Sequence, residues 1–383
     1  MRVLILGARA PACLEWARAF DESGWHVTVG DSLHQPLSRF SRAAHCFIKL
    51  PEPRKNPEGW VQALVNVVTE HRIDLLLPTC EEVFYLAHGL DRLAALCRVL
   101  TCDFSLLHRL HHKAQFAAMT HHWVIKAPHT RLLTNRQALL SLKDGKEQWV
   151  LKPAYSRFAT QILIRPSAKQ LAAVQPSIAA PWVAQRYIEG REVCSFSLLI
   201  AGELRAHSCY HPRYKAGQGA GVYFQPCVHK PIKQFLEQFG RETGYTGTVG
   251  FDFIEDSTGL FHVLECNPRS TSGVHLFNNQ RQSLVDSLTV NTVPLLEATP
   301  EPRMIGLAML LLAGPKHCLS PGFWRDYCRA NDVITQKNDY WPLPAQLLSL
   351  GEIIGRAGSR RCSLLAASTT DIEWNGQSLS EGS

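Results

Sequence analysis

The stretch Thr248–Gly273, TVGFDFIEDSTGLFHVLECNPRSTSG, decides how the chain is read. Thr248–Ile254 and Phe261–Asn267 have the composition of strands, and Asp256-Ser257-Thr258-Gly259 between them is a turn sequence. Side chains alternate faces along a strand. Asp252 therefore points away from Phe251 and Phe253, while Glu265 and Asn267 share the face opposite Leu264 and Cys266. If the strands pair as a hairpin, Asp252, Glu265 and Asn267 converge. Two carboxylates and an amide oxygen are hard ligands, suited to Mg²⁺ held beside phosphates. Arg269 can stabilise negative charge developing on a phosphoryl group. An ordinary sheet with solvated polar faces would show the same pattern, so the rest of the chain has to arbitrate.

Upstream, Lys152 ends the apolar strand Trp149–Lys152, and Lys113 lies in a His-rich helical stretch, 104–123. A lysine at a strand end can neutralise phosphate charge. The segment Trp182–Tyr187 reads as a strand leading to a short linker, Gly190 and nearby acids. The linker backbone could hydrogen-bond a purine edge, and Glu192 could accept from ribose hydroxyls. Further strand patterns cover Gln161–Arg165, Val193–Ile200 and Glu203–Cys209, and Pro231–Thr243 has a helical apolar face.

Residues 1–107 have a different texture. Strand patterns at Arg2–Leu6, Trp25–Val29 and Ile73–Leu77 alternate with helical ones at Pro11–Ser23, Trp60–Thr69 and Leu86–Leu96. That alternation implies a parallel sheet covered on both faces. Asp31 after the second strand invites a dinucleotide reading, but Gly7-Ala8-Arg9-Ala10-Pro11 has one glycine where the fingerprint needs three. The expectation is a Rossmann-like scaffold without a bound dinucleotide.

In this order the parts resemble the ATP-grasp superfamily, over roughly residues 1–300. The nearest style is the carbamoyl-phosphate-synthase-like branch that includes amino-acid ligases. The resemblance implies an α/β plus α+β chain: a Rossmann-like pre-ATP-grasp domain (1–107), a small lid subdomain (108–184) and a large subdomain (185–300). Residues 301–383 would be an extension packing on the ATP-grasp core. It implies Lys113 and Lys152 as nucleotide-binding lysines, and Gln185, Arg186, Tyr187 and Ile188 as the adenine hinge, with Glu192 on the ribose. Asp252, Glu265 and Asn267 would hold Mg²⁺ (or Mn²⁺), with Glu265 bridging two ions. Arg269 and Lys152 would be catalytic. The flap after Lys152, Tyr155–Thr160, has no glycine, unlike many relatives, leaving Ser156 or Arg157 to help wrap the phosphates.

The implied activity is ATP- and Mg²⁺-dependent joining of a small carboxylate to an amine through an acyl phosphate. Two alternatives stay open: a carboxylase- or kinase-like enzyme with a non-amine acceptor, and a nucleotide-binding regulatory protein without turnover. Substrate contacts are expected from Ser270, Ser272 and Gly273 after Arg269. The loop Arg213–Gly221, with Arg213 and Lys215, would close over the site, and Glu81 would meet an amine. His108, His111, His112, His121 and His122 flank Lys113 without a completing cysteine or carboxylate, and are not read as a zinc site.

The chain has 383 residues, 45% hydrophobic and 19% charged, which excludes a disordered chain. Its longest comparable apolar run, Met304–Ala313, is half of the about 20 residues that a membrane span needs. Burial against the ATP-binding subdomain is the expectation for it. The net charge of +7, without a dense Lys/Arg block, suits anionic small molecules and does not require nucleic acid. The N-terminus reads as a strand and not as a signal peptide. Together with twelve scattered cysteines, it leads to the expectation of a cytoplasmic, reduced protein. A homodimer is expected by family analogy alone.

Overall fold

The computed structural model describes residues 1–144, 148–155, 161–216, 219–290 and 292–379. The first sheet grows from buried apolar runs. Its strands are Arg2–Leu6 (β1), His26–Asp31 (β2), Cys46–Lys49 (β3), Leu75–Leu77 (β4) and Arg98–Val99 (β5). All pair in parallel in the order β3-β2-β1-β4-β5. The order reverses between β1 and β4, so a crevice opens at their carboxyl ends, where such sheets place ligands. β3 and β5 are short edge strands without a clear apolar period. The single helix expected over Leu86–Leu96 is two, Val83–His88 and Leu90–Ala94, broken at Gly89. A Cβ there would lie 2.5 Å from a methyl of Val61, so the close approach of the helix Pro57–Glu70 requires glycine.

The second sheet is antiparallel and has its own small core of Leu133, Leu139, Trp149, Leu151 and Ala184. Its strands are Thr130–Leu133 (β6), Trp149–Pro153 (β7), Leu163–Ile164 (β8) and Trp182–Arg186 (β9), in the order β6-β9-β7-β8. The third sheet is the body of the molecule. It comprises Gly190–Ile200 (β10), Glu203–Pro212 (β11), Tyr223–Cys227 (β14), Gly247–Asp256 (β15), Phe261–Asn267 (β16), Leu296–Glu297 (β17), Arg303–Met304 (β18) and Asn331–Asp332 (β19). Between β11 and β14, Lys215–Ala216 (β12) and Ala220–Gly221 (β13) pair as a small ribbon, so part of the expected closing loop is a hairpin. The body strands run β16-β15-β10-β11-β14-β18-β19, with β17 beside β11. The helix Lys230–Thr243 buries Ile232, Phe235, Leu236 and Phe239 against Phe251 and Phe253. That core continues without a break into Trp60, Phe84 and Leu107 of the N-terminal half.

Buried ion pairs join the parts. Glu15, on the helix Pro11–Glu22, accepts from Arg281 Nε at 2.7 Å and faces His275 Nδ1 at 3.1 Å. Burial pushes its carboxyl up, but Arg281 and His275 more than offset this and hold it at about 2. Residues 301–332 add β18 and β19 to the body. From Val333 onward the extension packs chiefly on the N-terminal domain, and Trp374 also meets His108, His111 and Tyr155 of the expected ATP-grasp region. Asp339 binds Arg18 at 2.7 Å, and Asp371 binds Arg9 at 2.7 Å. The Met304–Ala313 run is a strand end and helical turns that bury Met309 and Ala313 against Tyr214, Tyr223 and Phe323. Leu311 and Leu312 are exposed.

Arg9 lies between Asp31 (2.6 Å) and Asp371, and both acids are fully buried. Burial opposes the Asp371 charge, yet the Arg9 bonds leave its carboxyl well below the usual range. Removing one partner of such a set leaves buried charge uncompensated. Asp371→Ala is expected to cost about 3 kcal/mol in chemical denaturation at pH 7. The gap to wild type should shrink as the pH falls below about 4, because a lowered carboxyl contributes fully above its unfolded value and loses that contribution as the pH falls toward its folded one. A midpoint unchanged from wild type would refute the clasp.

Candidate functional site

The hairpin forms with Asp252 directly opposite Glu265 and Gly250 opposite Asn267, with a register shift just past Asp252. The three side chains meet on one face. Asn267 Nδ2 donates to Asp252 Oδ2 at 3.1 Å, and Arg269 Nη2 donates to Asn267 Oδ1 at 3.2 Å. Cys194, on the neighbouring strand β10, pairs in register with Asp252.

Two lysines reach the same acid from other segments. His112 breaks the helical stretch and caps its second half, Lys113–Met119, through Nδ1. Lys113 is thus the first helical residue, with Nζ 3.4 Å from Glu265 Oε2. Lys152, on β7, has Nζ 3.9 Å from the same oxygen and 3.4 Å from the Leu264 carbonyl. Both lysines are buried. Burial lowers Lys152 to about 8 against the pull of Glu265. Burial also pushes Glu265 up, but Lys113 and Lys152 outweigh it and leave its carboxyl low. Asp252 is pushed up, first by burial and then by the Glu265 charge. A pair of facing carboxylates, one held ionised and one driven toward protonation, is a donor set that a divalent cation would relieve. For Asn267 to add its oxygen, its amide turns over, because its NH₂ now faces Asp252.

Lys152, Cys194, Asp252, Glu265, Asn267 and Arg269 line a cavity of about 490 Å³. Arg9, Thr79 and Cys80, at the carboxyl ends of β1 and β4, form one wall, and Ser368, Thr369 and Ile372 close another. The C-terminal contribution and Cys194 escaped the sequence reading. Cys194 was signalled only by its place two residues beyond Glu192, on the same strand face. The others depend on chain packing.

The remaining expected residues divide. Glu192 and Lys215 line the cavity and bind one another. Ser270 and Ser272 also line it, but Ser270 is buried, accepting from Trp16 Nε1 at 3.1 Å and donating to Thr248. Gly273 serves packing: a Cβ would lie 2.5 Å from that of Phe196. Glu81 is buried with its carboxylate 3.8 Å from Arg269 Nε, facing the arginine and not an open amine site. Arg213 turns to Asp326 at 3.1 Å and lies outside the cavity lining. Gln185 shares the Lys152 face of its sheet by register, but its amide nitrogen donates to Thr130 at 3.1 Å. Arg186 is exposed, and Tyr187 stacks under Arg165 at 4.1 Å. Among the described lining residues, none of Gln185, Arg186, Tyr187 and Ile188 appears. Ser156 and the flap 156–160 lie outside the described residues. Asp31, the acid of the dinucleotide pattern, is engaged by Arg9. His108, His111 and His112 pack with Tyr155 in an aromatic cluster, joined by Trp374 for His108 and His111.

The chain has the ATP-grasp fold. Among solved structures it is similar to N5-carboxyaminoimidazole synthetase from Staphylococcus aureus, with TM-score 0.63 and 15% identity over 83% of this chain and 86% of that one. It is also similar to an L-amino acid ligase from Bacillus licheniformis, with TM-score 0.59 and 14% identity over 75% and 74% of the two chains. A third likeness is the biotin carboxylase domain of Hydrogenobacter thermophilus 2-oxoglutarate carboxylase, solved with MgADP, ADP and bicarbonate. There the TM-score is 0.60 and the identity 14%, over 77% and 71% of the chains. No family model matches the chain, and no curated protein matches it in sequence. Among the described residues, no helix is long and apolar enough to cross a membrane.

The crowded carboxylates set a stability test. A raised carboxyl binds its proton more tightly in the folded state, so Asp252 subtracts stability as pH rises from 3.8 to about 6. Without ligand, Asp252→Asn is expected to melt higher than wild type at pH 7, with the gap closing near pH 4; a lower melting point at pH 7 would contradict the charge reading. Gly273→Ala is expected to destabilise by about 1–3 kcal/mol through overpacking, read by denaturant titration. A midpoint within error of wild type would remove the packing role.

Proposed function

We propose that the protein is an ATP- and Mg²⁺-dependent ligase that joins a small carboxylate, an amino acid or similar compound, to an amine. The observation that carries this reading is the convergence of Lys113 and Lys152 on Glu265, which with Lys152, Asp252, Asn267 and Arg269 lines one cavity. In it, residues 1–107 are the pre-domain, 108–184 the lid and 185–300 the body that presents the catalytic groups. Mg²⁺, or Mn²⁺ in its place, would sit with Asp252, Glu265 and Asn267 and supply neutralising charge to phosphate oxygens.

The chain's own residues do the rest. Lys113 and Lys152 bind phosphate oxygens, which replace Glu265 as their anionic partner and keep Lys152 protonated. Glu192 exchanges Lys215 for ribose hydroxyls, and the backbone of residues 186–188 addresses adenine. Transfer of the terminal phosphoryl group breaks its bond to ADP and forms an acyl phosphate on the substrate carboxylate. Arg269 offsets charge on the phosphoryl and acyl oxygens as this bond forms. The amine then attacks the acyl carbon, loses a proton and expels phosphate, leaving an amide. Walls from three parts of the chain exclude the water that would hydrolyse the acyl phosphate.

A second reading makes bicarbonate the phosphorylated acid, supported by the carboxylase neighbours. A non-catalytic nucleotide binder is the third, and the full charged set argues against it. No disulfide joins the described cysteines, which supports a reducing, cytoplasmic setting. A homodimer remains the assembly expected by analogy.

ADP release with Mg²⁺ and ATP, across a matrix of amino acids, small carboxylates and bicarbonate with and without amines, tests these readings. Amine-dependent release that falls about 10²-fold or more in Glu265→Gln and in Arg269→Ala is expected. Release driven by bicarbonate alone would favour the carboxylase reading. Bound but intact ATP under every condition would sink catalysis.

A further inference from the structure

Strand β10 has a second face, turned away from the cavity, and a different kind of cluster sits there. His211 on β11, Cys227 at the end of β14 and His229 at the N-cap of the helix Lys230–Thr243 gather at one point. One candidate ligand atom from each lies within 4.8 Å of the others. The register explains the meeting. Cys209 pairs with Cys227 and His211 with Gln225, so His211 and Cys227 are diagonal neighbours on one sheet face. Two residues later the chain turns into the helix and brings His229 over them.

The nitrogens are prepared for a ligand. His211 Nδ1 donates to the Glu192 carbonyl at 2.8 Å, which fixes the tautomer and leaves Nε2 as the lone-pair nitrogen. Donation of the other ring N–H to a carbonyl is the usual support of a metal-bound histidine. His229 Nε2 is buried and makes no hydrogen bond among the described residues. The His229 ring is held by edge contacts to Phe261 at 4.9 Å and His211 at 5.9 Å. A buried nitrogen without a partner is costly unless something binds it. Glu255 and Arg191 are the charged groups acting on this cluster, so one acid and one cation flank it.

We propose that His211, Cys227 and His229 form a binding site for a Zn²⁺ ion, separate from the nucleotide cavity. Two imidazoles and a thiolate suit a borderline-soft cation and not Mg²⁺. Tetrahedral bonds of about 2.0–2.3 Å require ligand atoms roughly 3.5 Å apart, so small side-chain rotations close the present cluster onto an ion. On binding, the Cys227 S–H bond breaks, its proton passes to solvent and the sulfur lone pair bonds to zinc. Water or the Glu255 carboxylate completes the fourth position. The ion ties β11, β14 and the Lys230–Thr243 helix together directly behind Glu192, whose carbonyl orients His211 on one face while its side chain enters the cavity on the other. None of the three ligands belongs to the proposed ligase machinery.

The test uses the full chain, stripped with a chelator and free of nucleotide. Titration with Zn²⁺ against a chromophoric chelator should show one tight equivalent. Co²⁺ in its place should give the visible bands of a tetrahedral site and an intense near-ultraviolet thiolate-to-cobalt band. Cys227→Ser should abolish the near-ultraviolet band, and His229→Ala should weaken zinc binding about 10²-fold or more. Glu265→Gln should leave both signals unchanged. In the unsubstituted protein, Zn²⁺ should shield Cys227 from alkylation, read by peptide mass spectrometry, which holds the proposal to account even if a variant misfolds. Absence of a thiolate band, its persistence in Cys227→Ser, alkylation of Cys227 unaffected by zinc, or zinc lost in Glu265→Gln would each overturn it.

Discussion

The site is organised by one carboxylate. Glu265 lies across the hairpin from Asp252 and within 4 Å of both Lys113 and Lys152. Each of the four comes from a different place: two facing strands of the body, the first turn of a short helix and an inner strand of the second sheet. Burying two cations beside two anions is tolerable only because they compensate one another. The balance is incomplete, as the raised Asp252 and the lowered Lys152 show. A polyphosphate with its cation would complete it, so the same imbalance that weakens the ligand-free protein favours binding.

The N-terminal sheet contributes position more than chemistry. The acid that ends β2, Asp31, would face a ribose in a dinucleotide-binding protein. Here Arg9 takes that acid and reaches on to Asp371. The result is a wall for the cavity built from the first and last parts of the chain. Glu15, with Arg281 and His275, fastens the first helix to the turn that follows Arg269. Trp16 does the same for Ser270. The residues that resemble a substrate loop are therefore partly struts, and the Ser270 hydroxyl is committed to Trp16 and Thr248.

Strand β10 shows how one backbone serves two purposes. Alternation sends Glu192 and Cys194 to the cavity and leaves the opposite face for Val193 and the neighbours of His211. Glu192 takes part on both sides, through its carboxylate and through its carbonyl. The exposed apolar residues of the helix Pro342–Arg360, among them Leu347, Leu348 and Ile354, lie far along the chain from this strand and take no part in either site.

The hairpin and the converging acids were legible in Thr248–Gly273, because alternation and a tight turn leave little freedom, whereas the register shift beside Asp252 was not. The parallel N-terminal sheet was legible for the same reason, apart from its short edge strands. Lys152 was legible as a cation at a strand end, whereas Lys113 was reached only through the resemblance, because the helical stretch 104–123 read as continuous through it. Local pattern cannot show which partner a side chain meets across the fold. Packing alone turned Arg213 to Asp326, Gln185 to Thr130 and Glu81 to Arg269, and brought residues 368–372 to the cavity. The sequence by itself determined the elements and the acidic set, since these follow from short-range periodicity. Only the tertiary structure decided which charges are paired, which glycines are packing sites and where His211, Cys227 and His229 meet, because those depend on contacts between segments far apart in the chain.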